Sequence, residues 1–496
     1  MVPRKIAHPS LDERRALGKA ARKERPPDSH AKWKPAADRP DPVALLEAQN
    51  ERREPDLVPV RHGRMMVSPF TFYRGAAKIM AADLKDTPRA GLTVQLCGDA
   101  HLSNFGLFGS PERQLLFGLN DFDETLTGPF EYDVERLAAS FTIAARHNGF
   151  GRADARDTTR AVVSAYRKAM AEFAQMPVLD VFYAHLTDQD LLAAIRSKIP
   201  EPSPKAKGRA TKEKAAAKQS ATGSSTDQTA AQRFENLEKG LRKARTRDSL
   251  QALSKLAELV DGRYRIVSQP PIVVPARDLY AVYGISPDEL QHTIHAQFRA
   301  YRATLQPDRR HLLERFRVVD MARKVVGVGS VGTRAFIVLL EGRDQQDPLF
   351  LQVKEATTSV LEDHLPKSRY QPSARVVHGQ RMLQAASDIF LGWTKGAQEG
   401  RYLYWRQLRD MKGSADVEVM KPPGLALYAR VCGWTLARAH ARSGDPVAIA
   451  AYLGKSDKFD KAIAGFSQRY ADQNERDYEA FLAAVRSGRL AAQEGV

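Results

Sequence analysis

The glycine pattern at residues 327–332, which read GVGSVG, limits the folds open to this chain more than any other feature. In a dinucleotide-binding turn such a G-x-G-x-x-G pattern must open a helix, whose N-terminus then holds the pyrophosphate. Here Thr333–Glu341 reads TRAFIVLLE, a β-branched and apolar run typical of a strand. The next run, Leu349–Lys354, is again strand-like. We therefore predict that the glycines lie on the turn of a β-hairpin.

A lysine closes the third of these predicted strands. Lys354 ends the run LFLQVK, directly after the glycine hairpin. A lysine in this position can pair with the phosphates of a nucleotide that the turn covers. Gly327, Gly329 and Gly332 would let the backbone approach those phosphates, and Ser330 lies among them. The alternative is a solvated lysine on an edge strand.

A second polar set lies much earlier in the chain, in GDAHLSNFGLF and NDFDE. Asp99 and Asn104 are five positions apart in one predicted loop, and two aspartates follow a predicted two-strand hairpin. Phosphoryl transfer needs a carboxylate that orients the attacking hydroxyl, and oxygen ligands for magnesium. Asp99 is therefore predicted to be catalytic, together with Lys354. The predicted magnesium ligands are Asn104, Asp121 and Asp123; the alternative is a polar turn with capping residues.

These motifs resemble those of protein kinases and, more closely, of aminoglycoside and choline phosphotransferases. Residues 98–104 resemble the end of the H-G-D-x-H-x-x-N loop of those families, with Cys97 in place of the histidine. Residues 128–134 (GPFEYDV) resemble the helix that follows it, and the resemblance implies that Asp133 braces the Asp99 loop. It also implies a protein-kinase-like bilobal fold, with ATP and magnesium as cofactors and a nucleotide as partner.

The order of the two sets is the reverse of that in kinases, where the glycine turn precedes the catalytic loop. Because chemistry depends on geometry and not on chain order, we predict an α+β, kinase-like bilobal fold that is circularly permuted and carries helical insertions. The predicted parts are a flexible basic N-terminal arm (1–62), a first part of the helical large lobe with the Asp99 loop (63–200), a low-complexity linker (201–232), a helical insertion (233–315), a β-rich small lobe with the glycine turn (316–414) and a second part of the helical large lobe (415–496).

The acidic partner of Lys354 stays open at this point. A kinase-like lysine should pair with a glutamate on the next helix, but the predicted helix at 374–386 contains none. Gln380 faces the right region by sequence distance, and Glu362 precedes the helix. Glu355 should point to the opposite face of the strand, since successive side chains alternate.

Composition narrows the class of protein. The 496 residues are 43% hydrophobic and 27% charged, which is ordinary for a globular chain. Two cysteines exclude a disulfide scaffold and a cysteine-based zinc cluster. The absence of a secretory signal and of a long apolar run predicts a soluble, cytoplasmic protein without membrane contact. The net charge of +17 lies largely in aromatic-poor runs such as Lys205–Lys218, which argues against nucleic-acid binding.

Most of the chain, from Phe72 to Tyr470, also resembles a bacterial family known as the domain of unknown function 2252 family. The segments that carry this resemblance are FYRG, GDAHLSNFG, NDFDE, KVVGVGSVGTR and LQVKEA. The family brings no known substrate. The residues themselves predict an ATP- and magnesium-dependent phosphotransferase that acts on an unidentified hydroxyl acceptor, either a small molecule or a protein. The alternatives are a pseudokinase-like nucleotide-binding or regulatory module without catalysis, and AMP transfer on the same fold.

Overall fold

The computed structural model describes residues 7–196, 230–279, 284, 286–408 and 411–495. Residues 201–229 of the predicted linker lie outside this part of the chain. The α-helices are α1 (Leu11–Glu24), α2 (Pro42–Asn50), α3 (Val58–Met66), α4 (Pro69–Gly75), α5 (Ala77–Leu84), α6 (Phe130–His147), α7 (Arg152–Phe173), α8 (Val178–Tyr183), α9 (Asp188–Arg196), α10 (Ala230–Arg245), α11 (Ser249–Leu256), α12 (Pro287–Arg302), α13 (Pro307–Leu313), α14 (Pro372–Leu383), α15 (Pro422–Ser443), α16 (Pro446–Leu453) and α17 (Lys458–Arg486).

Strands occupy a smaller share of the described residues. They are β1 (Thr93–Leu96), β2 (Phe105–Gly109), β3 (Leu115–Leu119), β4 (Leu126–Pro129), β5 (Leu186–Thr187), β6 (Ala257–Val260), β7 (Arg263–Ile266), β8 (Val273–Pro275), β9 (Arg317–Lys324), β10 (Ala335–Glu341), β11 (Pro348–Glu355), β12 (Gly392–Lys395), β13 (Tyr402–Gln407) and β14 (Gly413–Ser414). The mixed α+β class predicted from the sequence is confirmed. Among the described helices, none combines the length and the apolar character needed to cross a membrane.

The largest sheet is antiparallel and has the strand order β12-β13-β11-β10-β9-β8. Its strands are rich in Val, Ile, Leu and Phe because the sheet is covered on both faces. On one face Tyr301 of α12 stacks on Trp405 with ring centroids 4.6 Å apart. On the other face Leu253 and Leu256 of α11 pack against Ile337 and neighbouring strand residues. The long central strands hold the glycine turn and Lys354 rigidly at one end of the sheet.

Two boundaries in this sheet differ from the sequence-based expectation. The β-branched run Lys324–Val328 has the composition of a strand, but it does not form one: β9 ends at Lys324, and the positive φ of Gly327 (+65°) takes the backbone out of the strand region. The predicted helical insertion at 233–315 contains three strands as well as helices, and β8 extends the large sheet. The strand β14 pairs with β2 and belongs to a separate four-stranded sheet, β14-β2-β3-β5.

The main hydrophobic core lies among α6, α7, α15 and α17 and draws on distant parts of the sequence. Phe130 of α6 contacts Tyr166 of α7 and Phe459 of α17 through their rings, and Leu436 of α15 belongs to the same buried cluster. Val376 of α14 also joins it. Helices from both ends of the chain therefore share one core, and they support the sheet β14-β2-β3-β5.

The prediction of a flexible N-terminal arm is wrong for the described residues from 7 onward. Helix α1 packs on α16, and the imidazole of His30 is fully buried between Glu135 (3.0 Å) and the Tyr452 hydroxyl (3.0 Å). Arg39 forms buried ion pairs with Asp83 and Asp477. The basic, proline-rich composition concealed a few apolar and aromatic side chains that the helical core buries.

Trp33 provides a test of this docked segment. Its ring packs against Phe466 (5.7 Å between centroids) and Tyr470 (5.1 Å) and is nearly buried. Trp33→Ala is expected to lower the free energy of unfolding by about 3 kcal/mol, because it removes buried aromatic surface and leaves a cavity. Chemical denaturation followed by circular dichroism measures this change. The exposed neighbour variant Lys34→Ala is the control, and equal effects of the two variants would contradict docking.

Candidate functional site

The loop at residues 97–104, called the Asp99 loop below, follows β1 and is held by the start of α6. Gly98 has φ +87°, and a Cβ atom there would lie 2.1 Å from the Glu124 carbonyl oxygen, so only glycine fits. Asp133 of α6 accepts hydrogen bonds from the backbone amides of Cys97 (2.6 Å) and Gly98 (2.9 Å). Asp133 therefore braces the Asp99 loop in the way that the resemblance implies.

A buried histidine extends this brace to the C-terminal helices. His440 of α15 contacts the Asp133 carboxylate (Nε2 to Oδ2, 3.2 Å) and the Tyr166 hydroxyl (2.8 Å). All three side chains are buried. Sequence reasoning assigns His440 no role, because a histidine on an apolar helix does not reveal which residue it faces.

Asp99 lines a cavity of about 680 Å³ and is oriented by a guanidinium. Its Oδ1 atom accepts a hydrogen bond from Arg136 Nε (2.8 Å) and lies 2.7 Å from Arg136 Nη2 in the same ion pair. Burial disfavours the charged form of Arg136, but the negative charge and the hydrogen bond of Asp99 favour it, and the pKa of Arg136 is raised. His101 Nε2 lies 3.8 Å from the other Asp99 oxygen, and burial lowers the pKa of His101 to about 4. His101 is therefore neutral near pH 7.

Asn104 joins the Asp99 loop to the segment that carries the other two aspartates. Its Nδ2 donates to the carbonyl oxygens of Asp99 (3.2 Å) and Asp121 (2.9 Å). Its Oδ1, predicted as a magnesium ligand, accepts a hydrogen bond from the Asp121 amide (2.6 Å). An amide oxygen has two lone pairs, so one of them stays available. The first role of Asn104 is thus to fix the position of Asp121 relative to Asp99.

Lys354 reaches both aspartates from the end of β11. Its Nζ lies 2.5 Å from Asp123 Oδ2 and 3.4 Å from both oxygens of Asp121, and its side chain is 2% exposed. Burial opposes both charges, but the pairing dominates: it lowers the pKa of Asp121 to about 2 and raises the pKa of Lys354. Tyr404, the register partner of Lys354 on β13, donates to Asp123 Oδ1 (2.6 Å).

These contacts answer which acidic groups pair with Lys354. The partners are Asp121 and Asp123, for which the sequence motifs predict only a role as metal ligands. The three side chains considered from the sequence have other partners. These are Gln384 for Gln380 (2.9 Å), Arg375 for Glu362 (3.6 Å) and Arg401 for Glu355 (2.6 Å).

Helix α14 contributes an arginine to this site where a glutamate was sought. Arg375 is buried and donates to the carbonyl oxygens of Asp123 (2.8 Å), Thr125 and Thr357 (2.9 Å). It therefore ties the segment after Asp121 to the segment after β11. The sequence carries little signal for this role, because Arg375 is one of two arginines in α14 and nothing in the pattern distinguishes it from Arg381.

The turn between β9 and β10, residues 325–334, is called the glycine turn below. Gly327 and Gly332 have φ values of +65° and +87°. Ser330 Oγ lies 3.3 Å from Asp123 Oδ2, so the glycine turn covers the aspartates. A Cβ atom at Gly329 would lie 3.1 Å from the Arg74 carbonyl oxygen, which is close enough to disfavour a side chain.

The N-terminal segment, residues 42–84, holds the glycine turn from its other side. Arg64 donates to the Gly327 carbonyl (2.6 Å), and Arg53 donates to the Val331 carbonyl. The amide of Glu54 donates to the Gly332 carbonyl (2.7 Å). The sequence does not predict these contacts, because residues 1–62 read as a flexible arm and no motif marks Arg64, which lies in the predicted large lobe.

The cavity brings most of the predicted site residues together. Those that line it are Asp99, Asn104, Asp121, Asp123, Gly327, Gly329 and Ser330. Lys354 reaches the same place through its two carboxylate contacts, and Gly332 lies behind the turn against the Arg53 side chain. Among the described residues, no group of three or more His, Cys, Asp or Glu side chains is arranged to hold a metal ion.

Comparison with known proteins identifies the family. The model of the family described as uncharacterized protein conserved in bacteria (DUF2252) matches residues 53–237 and 205–484. The chain belongs to the DUF2252 family. The matched ranges include the Asp99 loop, the glycine turn and Lys354. No curated protein matches the chain, and no solved structure matches it.

The ion pair of Lys354 supports a thermodynamic test in this DUF2252 protein. Lys354→Met is expected to lower the free energy of unfolding by about 2 kcal/mol, because it removes the charged hydrogen bonds of a buried ammonium and leaves two partly exposed carboxylates without their cation. The double variant Lys354→Met/Asp123→Asn should lose clearly less than the sum of the two single variants. Urea denaturation of all four proteins measures the coupling. Lys461→Met, which breaks an exposed ion pair with Asp457, should leave the stability unchanged. Additive effects at Lys354 and Asp123 would contradict the pairing.

Proposed function

We propose that this chain is an ATP- and magnesium-dependent phosphotransferase that acts on a hydroxyl acceptor, a small molecule or a protein. One observation carries the proposal. Lys354, beside the glycine turn, contacts Asp121 and Asp123 although Asp121 lies 233 positions earlier in the sequence. The glycine turn and the two aspartates could each be a purely structural turn when considered alone, but they meet in one cavity with Asp99. This convergence supports a kinase-like bilobal fold in circularly permuted order.

The residues of the cavity fit a nucleoside triphosphate. Its volume of about 680 Å³ lies within the range of small-molecule sites, roughly 300–1,000 Å³. The backbone of the glycine turn would cover the phosphates, and Lys354 would neutralise part of their charge. Adenine would lie toward the end of β13.

The donor set also fits magnesium. Mg²⁺ is usually held by one or two carboxylates with substrate phosphates and waters, so a cluster of three acidic side chains is not required. Asp121 and Asp123 contact the same ammonium group and so lie on one side of the cavity. Their carboxylates would hold the ion, which when bound neutralises phosphate charge. The remaining lone pair of Asn104 Oδ1 is the third candidate donor.

Asp99 is the residue proposed to act on the acceptor. The bond from the acceptor oxygen to the terminal phosphorus forms while the bond from that phosphorus to the β,γ-bridging oxygen breaks, and ADP leaves. The acceptor proton passes to Asp99. Because Arg136 fixes its carboxylate, Asp99 is placed to orient the hydroxyl. Such a role suits a transition state in which the proton moves late.

A binding module without catalysis is the second candidate, and one observation favours it. The side chains of Lys354 and Asn104 are both engaged by groups of the protein itself, so neither is directed to a substrate by the fold alone. A module of this kind would bind magnesium-ATP without turnover. AMP transfer differs from phosphotransfer in the phosphorus atom that is attacked, which is the α-phosphorus.

Magnesium-ATP binding is the first test of the proposal. Calorimetry and thermal unfolding of the full chain should detect binding that requires magnesium, with stabilisation of about 2.7 kcal/mol at a ligand concentration of 100 times Kd. Asp121→Asn and Lys354→Met should abolish it, since they remove a metal ligand and the phosphate cation. Asp154→Ala, an exposed residue at the start of α7, is the matched control and should bind as the wild type does.

Labelled ATP separates the candidate functions once binding is established. Transfer of label from the γ-phosphate, lost in Asp99→Asn with binding retained, is the result expected of a phosphotransferase. Transfer from the α-phosphate would identify AMP transfer instead. Binding without any turnover across an acceptor screen would favour the module. Absence of nucleotide binding by the wild type would overturn the proposal.

A further inference from the structure

Arg74 of α4 has no assigned role, although it lines the cavity between the Asp99 loop and the glycine turn. Its carbonyl oxygen lies against Gly329, 3.1 Å from the position a Cβ atom would take there. The preceding carbonyl, that of Tyr73, accepts a hydrogen bond from Arg136 (2.9 Å), which also holds Asp99. The backbone around Arg74 is therefore fixed to both motifs at once.

The guanidinium of Arg74 lacks a partner within the described part of the chain. It makes no hydrogen bond or ion pair there, and its Nε atom is buried. Neighbouring arginines of the cavity differ: Arg53 donates to the Val331 carbonyl, and Arg406 donates to Gln352 and to a backbone carbonyl. Arg74 is partly buried, and its buried Nε has no acceptor. An unpaired, partly desolvated cation is costly, so its retention points to a ligand that supplies the missing charge.

The charges near Arg74 do not remove this cost. The carboxylates that act on it are Asp99 and Glu418, and Asp99 is already paired with Arg136. Burial outweighs both carboxylates, so the pKa of Arg74 is lowered. The cavity thus presents an under-compensated cation close to the residue proposed to orient the acceptor hydroxyl.

We propose that Arg74 binds the terminal phosphoryl group of the nucleoside triphosphate in this cavity. This inference rests on the proposed function. The guanidinium fork matches phosphate oxygens and can donate two parallel hydrogen bonds. The transferred phosphoryl group must lie next to the hydroxyl that Asp99 orients, and Arg74 lies at that end. Lys354 lies instead with Asp121 and Asp123, at the metal end. Arg74 thereby stabilises charge on the group in transfer, as an arginine supplied in cis does in other phosphoryl-transfer sites.

The test compares ATP with ADP, because only ATP carries the terminal group. Calorimetry on the full chain with magnesium-ATP and magnesium-ADP is carried out for the wild type, Arg74→Gln, Arg74→Lys and a control, Arg89→Gln. Arg74→Gln is expected to weaken ATP binding roughly 10- to 100-fold while ADP binding changes less than about threefold. Arg74→Lys should recover only part of the loss, since an ammonium lacks the fork. Arg89, which stacks on Tyr132 outside the cavity, should change neither.

The remaining outcomes separate this inference from the proposed function. Equal losses of ATP and ADP affinity in Arg74→Gln, or no loss of either, would overturn the role of Arg74 and leave the phosphotransferase proposal standing. If the wild type binds neither nucleotide, the proposed function fails, and tripolyphosphate becomes the probe. Tripolyphosphate binding lost in Arg74→Gln would still support a phosphate site, whereas no binding would overturn it.

Stability without ligand distinguishes a phosphate-binding role from a structural one. Removal of an unpaired, partly buried cation should leave the unfolding temperature of ligand-free Arg74→Gln equal to or above that of the wild type. A decrease of several degrees, together with equal losses for both nucleotides, would identify Arg74 as a packing residue and contradict the inference.

Discussion

The contact of Lys354 with Asp121 and Asp123 is the interaction on which the geometry of the cavity depends. It joins the end of β11 to a segment that follows β3, so it fixes the large sheet against the part of the molecule that carries the Asp99 loop. The Lys354 ammonium is removed from water, whereas the two carboxylates are partly exposed to the cavity. Tyr404 and Ser330 contact Asp123, and Asn104 holds the backbone of Asp121. A buried ammonium between two carboxylates tolerates little displacement, because each charge needs the others as compensation. The glycine turn and Asp99 are consequently presented to one space.

A layer of arginines surrounds that ion pair and determines how the segments around it are positioned. Arg136 orients Asp99, Arg375 gathers three carbonyl oxygens, and Arg53 with Arg64 holds the glycine turn. In each case a planar cation bridges segments that are distant in sequence, which a lysine with its single charged centre would do less well. Part of the +17 net charge therefore has a structural role, because these arginines bind groups of the protein itself and do not form a surface for polyanions.

Local sequence patterns predicted features that depend on neighbouring residues, but they did not predict contacts between segments that are distant in sequence. The strand-like runs after the glycines predicted a hairpin, and the spacing of Asp99, Asn104 and Asp121 pointed to a shared site, because both depend on residues near in sequence. The partner of Lys354 could not be predicted in the same way, since it depends on how two distant segments dock. The prediction of a flexible arm at residues 1–62 is wrong because average composition conceals single residues such as Trp33, whose burial requires the C-terminal helix.

The shared core has a consequence for synthesis on the ribosome. Apart from Ala21 of α1 and Trp33, the buried residues of the main cluster run from Phe70 to Ala471. Helix α6 leaves the ribosome on the order of tens of seconds before α15 and α17, at roughly 5–20 residues per second. During that interval its apolar face has no native partner, and non-local pairing of this kind folds slowly. The nascent chain therefore depends on being kept from aggregation until its last helices emerge, and a chain that stops after α14 lacks the core rather than a single part of it.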